Sequence, residues 1–141
     1  MKAKSNFFHA FLISAIMVGT VAVQAQRGDR SSAVQAIQAG DYSRAVTIAK
    51  QLLKSNGNDD TLWQTLGSAQ YKLKKYKDAI KSYQNAVELA PTNASHLSEL
   101  AYVYLTVFDP RTYKTAADAL VLDPNNAVAH YVLGVNSYRD E

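Results

Sequence analysis

Three stretches of this chain repeat one spacing, and that spacing leaves few architectures open. Tyr42 recurs as Tyr76 and Ala45 as Ala79, each pair 34 apart in sequence. Ala86 and Ala119 stand 33 apart, as do Pro91 and Pro124, and Gly67, Ala101 and Gly134 recur at 34 and then 33. A period of about 20 to 50 residues marks an array of small units, each stabilised by stacking on the next.

Within one period the pattern is helical. From Thr61 to Leu73, the residues Leu62, Trp63, Leu66, Gly67, Ala69 and Leu73 favour one side of a helix. After "KLKKYKD" a second helix is predicted from Ala79, Ile80, Tyr83, Ala86, Val87 and Leu89, spaced mainly at three and four residues. Asp59 or Asp60 is placed to cap the first helix, and Pro91 falls just past the second, where it cannot continue a helix interior. Gly67, Ala79 and Ala86 are small where two helices must approach, and Trp63, Leu66, Tyr76 and Tyr83 fill the space around them. No strand pattern competes.

These residues resemble the tetratricopeptide repeat. With Asp60 as position 1, the family's preferred types fall at Trp63, Leu66, Gly67, Tyr76, Ala79, Tyr83, Ala86 and Pro91, while Gln70 stands where the family has an aromatic. The resemblance implies an all-α, right-handed superhelical solenoid of antiparallel helix pairs, here preceded by a signal-peptide helix. Residues 26–59 read as a degenerate first repeat that keeps Tyr42 and Ala45, has Gly57 in place of proline, and starts its first helix near Ser31 or Ser32. Residues 60–93 are the best match. Residues 94–126 keep Leu97, Leu100, Ala101, Tyr104, Ala119 and Pro124, with Asp109-Pro110 expected to end the first helix and Thr112 in place of alanine. Residues 127–141 match only a first helix, through Leu133 and Gly134. That reads as a chain cut through a repeat, with a cap or a self-association surface as alternatives.

In the family, the first helices line a concave groove. Carried over by register, the groove positions are Gln64, Ser68, Tyr71 and Lys72 in the best repeat. Ser98, Tyr102 and Thr106 follow in the next, then Tyr131 and Tyr138 in the last helix. This surface is rich in tyrosine, which gives large contact area at low side-chain entropy cost, and it suits an extended peptide or a partner helix. The subtype that clamps a C-terminal carboxylate uses lysine and asparagine where this chain has Gln64 and Ser68, so an acidic tail is not the expected ligand.

The N-terminal segment is a separate unit. Lys2 and Lys4 precede "FLISAIMVGTVAV", and Val23-Gln24-Ala25 supplies small residues for cleavage before Gln26, as a secretory signal peptide requires. The alternative is an uncleaved inner-membrane anchor over residues 7–25, a stretch just long enough to cross a bilayer. The net charge is +3, but without Lys2 and Lys4 the balance is 13 basic against 12 acidic residues, so nucleic acid is not implied as a partner. There are no cysteines, hence no disulfide framework or thiol chemistry. The expected location is a bacterial periplasm.

No catalytic motif is present: there is no HExxH, no phosphate-cradling loop and no G-x-S-x-G. His96 and His130, one repeat apart, read as packing or surface residues, without a third ligand that a metal would need. The lysines at 72, 74, 75, 77 and 81 read as a solvated turn, with an anion-attracting patch as the sharper alternative. The expected function is a non-enzymatic protein–protein interaction scaffold of the cell envelope, without cofactor or metal. Its partner would be another envelope protein or peptide, with the membrane engaged only through an uncleaved leader. The alternatives are a structural subunit self-associating through its terminal helix, and an accessory repeat segment of a longer envelope protein or enzyme.

Overall fold

Seven helices and no strand make up the described part of the chain. The computed structural model describes residues 30–137, so the leader and Tyr138 lie outside the described residues. Helix α1 covers residues 30–38; α2 is Tyr42–Ser55, α3 Asp60–Lys72, α4 Tyr76–Leu89, α5 Ala94–Val107, α6 Thr112–Leu122 and α7 Ala127–Ser137. Residue 30 is already helical, slightly ahead of the start expected near Ser31.

Short polar side chains start the helices by occupying otherwise unpaired backbone donors. Asp41 accepts from the Arg44 amide at 3.0 Å, Asp59 from Leu62 at 3.1 Å, Asn93 from Ser95 at 3.0 Å and Asn126 from Ala129 at 2.9 Å. Asp59, rather than Asp60, is therefore the cap of α3. Three turns pass through left-handed residues, Gly40, Lys74 and Phe108. Phe108 closes α5 one residue before Asp109-Pro110.

Consecutive helices joined by these short turns pack antiparallel, and α5 also touches α7, so the pairs stack into a solenoid. Alanines at the crossings are fully buried: Ala45, Ala69, Ala79, Ala86, Ala101, Ala116, Ala119 and Ala129 all have no exposed surface. Gly67 is the tightest approach. A methyl group there would lie 3.0 Å from the Tyr83 ring, so its absence is what seats that ring. The same substitution at Gly134 would meet nothing within 4 Å. At Thr112 the hydroxyl is buried and donates to the Asp109 carbonyl at 2.6 Å, which ties the turn to the start of α6. None of the described helices is long and apolar enough to cross a membrane.

Candidate functional site

The first helices of successive pairs, α3, α5 and α7, form one continuous face. Side-chain bonds between α3 and α5 recur at about one repeat's separation. Gln64 Nε2 donates to Glu99 Oε1 at 3.0 Å and lies 3.5 Å from Ser95 Oγ. The Thr106 hydroxyl donates to the Tyr102 carbonyl at 2.9 Å, which leaves the Tyr71 hydroxyl to donate to Thr106 across 3.4 Å. His96 Nε2 lies 2.9 Å from Asp60 Oδ2 and, facing a carboxylate, must carry the hydrogen.

Along this face runs a ladder of tyrosines. The rings of Tyr71 and Tyr102 are 5.5 Å apart at 57°, and those of Tyr102 and Tyr131 are 6.0 Å apart at 44°. Tyr76, at the start of α4, extends it with a ring 5.6 Å from Tyr71. The tilted geometry is the favoured one for aromatic pairs, worth about 0.5–1.5 kcal/mol per contact beyond area burial. Along the chain, each step from one ladder tyrosine to the next is about one helical turn short of the repeat, so the ladder crosses the helices obliquely. Tyr131 keeps 56% of its surface exposed, and Tyr71 and Tyr102 are half-buried. The neighbouring Tyr71 pushes the Tyr102 phenol above the usual tyrosine value. Burial, and after it the charge of Glu99, pushes the Tyr83 phenol far up, so Tyr83 stays neutral beneath the groove.

Most of the expected groove residues meet here. Gln64, Ser68, Tyr71, Tyr102 and Thr106 are half-buried along the face, and Lys72 is exposed at its edge. Ser98 does not join them. It is 1% exposed, its short side chain turned back to donate to the Ser95 carbonyl at 3.0 Å. Tyr138 lies outside the described residues.

To the residues expected from the register the structure adds the carboxylate of Glu99. Glu99 sits one position past a groove position, and its long side chain reaches back to Gln64. It has no cationic partner within 4.0 Å among the described residues. The two histidines part company. His96 is buried with Nδ1 unpartnered, whereas His130 is exposed and bonds the Pro124 carbonyl through Nε2 at 2.8 Å. Among the described residues no three of His, Cys, Asp and Glu gather where they could hold a metal ion.

Comparison with known proteins agrees with this fold. The family model described as tetratricopeptide repeat matches residues 61–93. No curated protein matches the chain. Among solved structures, the first such domain of Spaghetti (RPAP3), bound to the HSP90 peptide SRMEEVD, superposes with a TM-score of 0.77 at 18% identity, covering 84% of this chain and 95% of that one. The type III secretion chaperone SycD of Yersinia enterocolitica, in complex with a peptide of the translocator YopD, gives a TM-score of 0.77 at 17% identity over 84% and 96% of the two chains. A variant of the O-GlcNAc transferase of Thermobaculum terrenum gives 0.71 at 23% identity, covering 77% of this chain but 21% of that one.

Proposed function

We propose that this chain, whose residues 61–93 match the tetratricopeptide repeat, is a non-enzymatic interaction scaffold holding an extended peptide or partner segment in the groove of α3, α5 and α7. The observation that carries this reading is the Tyr71–Tyr102–Tyr131 ladder, which spreads aromatic surface over three successive helix pairs. Peptide complexes of structures with the same fold support it. The ligand differs in charge from SRMEEVD. Glu99 places an unpaired negative charge beside the tyrosines, and Gln64 and Ser68 offer no cation to a terminal carboxylate. A neutral or basic segment fits, with a lysine or arginine opposite Glu99 and its stem along the rings.

A displayed library of random peptides tests the reading. Enriched sequences should be aromatic or basic and poor in acids, and should lose at least tenfold in affinity for the double variant Tyr71→Ala/Tyr102→Ala while its helical circular dichroism is kept. Peptides that bind that variant unchanged would refute the groove. The leader supports delivery to a bacterial cell envelope. A reporter fused after Ala25 should be active only outside the cytoplasm, and cleavage should leave Gln26 as the N-terminus. A second reading, self-association through α7, rests on the open space at Gly134 and on exposed Val128 and Tyr131. It requires a mass that rises with concentration in light scattering.

A further inference from the structure

Behind the groove, on another side of α3, lies a cavity of about 440 Å³ between α2, α3 and α4. Helix α3 contributes Trp63, Leu66 and Gln70 to it. At 100° per residue these lie about 130° around the helix from Gln64, Ser68 and Tyr71, so the cavity and the tyrosine ladder are separate surfaces. The volume falls within the range of about 300–1,000 Å³ typical of small-molecule sites.

Its lining is graded by depth. The floor is Leu66, Gln70 and Ser82, all buried, with the Ser82 hydroxyl donating to Gln70 Oε1 at 2.6 Å. The walls are Leu53, Trp63 and Asn85, half-buried. The Trp63 indole is held in place by donating to the Gly57 carbonyl at 2.8 Å. The rim is Lys50, Lys54, Lys81 and Asp78, all exposed. Three lysines against one aspartate give the rim a net charge of 3 − 1 = +2. None of the three has a carboxylate within 4.0 Å among the described residues.

An apolar wall with a small polar spot below and unpaired ammonium groups above has one chemical complement. We propose that this cavity binds a small amphipathic anion, a molecule with an apolar body and one carboxylate head. The body lies against Trp63, Leu53 and Leu66, where burial of apolar surface supplies the affinity. The head lies at the rim, which Lys50 and Lys54 of α2 and Lys81 of α4 line. An inorganic anion would leave the walls uncovered, and an uncharged amphiphile would leave the lysines uncompensated. The site is independent of the groove, since no tyrosine of the ladder lines it.

Trp63 is the only tryptophan in the chain, so its fluorescence reports on this cavity alone. The full chain is titrated with octanoate below its micelle-forming concentration, with octanol and inorganic phosphate as controls. Octanoate should shift Trp63 emission saturably, and neither control should match its affinity. The triple variant Lys50→Gln/Lys54→Gln/Lys81→Gln should bind octanoate about tenfold more weakly, each exposed charge contributing modestly, and Asp78→Asn should bind it about twofold more tightly. Tyr71→Ala/Tyr102→Ala should bind it as the parent does, which separates failure here from failure of the peptide groove. Equal binding of octanol, binding of phosphate alone, no saturable response, or a triple variant indistinguishable from the parent would each overturn the proposal.

Discussion

Gly67→Ala and Gly134→Ala are the same substitution at equivalent points of the array, two repeats apart, and they should change stability in opposite directions. Both glycines lie inside helices, α3 and α7, where alanine is intrinsically favoured by about 1 kcal/mol. At Gly67 the added methyl would lie 3.0 Å from two carbons of the Tyr83 ring and 3.1 Å from a third. Carbon atoms settle at about 3.5–4.0 Å, so the ring must retreat by about half an ångström or more. Tyr83 has little room to do so, being 4% exposed and packed against Ala79, Leu100, Val103 and Tyr104. Overpacking of this kind costs about 1–3 kcal/mol, and with the helical gain subtracted a net loss of about 1–2 kcal/mol remains at the upper part of that range. In a thermal melt followed by circular dichroism, each kcal/mol corresponds to about 4–8 °C for a domain near this size. At Gly134 the methyl meets nothing within 4 Å, so only the helical gain remains, about 0.5–1 kcal/mol. Combining Gly67→Ala with Tyr83→Leu should remove the penalty and expose the helical gain. If Gly67→Ala raises the melting temperature as Gly134→Ala does, the close approach of α3 to α4 through this glycine is wrong.

Two further outcomes follow from the caps and the bridge between α3 and α5. Asp59 is 6% exposed, accepts from the Leu62 amide and from Asn56, and pairs with Arg30, whereas Asp41 is an exposed cap with one such bond. Asp59→Ala should therefore cost about 2 kcal/mol, at the top of the range for caps, and Asp41→Ala about 0.5–1 kcal/mol, read from urea midpoints. The hydrogen bond from His96 holds the Asp60 carboxyl below its ordinary 3.8. A folded-state value below the unfolded one means the contribution is fully present above about pH 3.8 and is lost as pH falls through the lower folded value. Asp60→Asn should flatten that part of the acid limb of a stability-versus-pH curve and leave the curve's shape near neutrality unchanged; an unaltered acid limb would contradict the bridge.

The helices and their pairing were legible in the sequence because the features that fix them are periodic. Gly67, Ala79 and Ala86 mark crossings by size alone, and Tyr71, Tyr102 and Tyr131 could be placed on one face by counting along single helices. What counting could not supply is the reach of a side chain between helices. Glu99 enters the groove because it is long enough to meet Gln64, and Ser98 leaves it because its short side chain turns back to the Ser95 carbonyl. The histidines differ for another reason, the one residue lost from the repeat between them. His96 and His130 stand 34 apart where Ala101 and Gly134 stand 33 apart, so the equivalent of His96 is Ala129, which is buried as His96 is, and His130, one position further on, is turned outward. The lysine run divides likewise. Lys81 joins Lys50 and Lys54 at the rim of the cavity behind the groove, while the lysines at 72, 74, 75 and 77 are not among its lining residues. Five charges that look like one basic patch along the chain thus belong to different surfaces. The repeat fixes where helices meet, but the chemistry between them comes from pairs of residues about one repeat apart, whose joint identity no single window displays. A mutation chosen by motif alone would therefore test the scaffold, whereas one chosen from such a pair, Gln64 with Glu99 or Asp60 with His96, tests what joins its repeats.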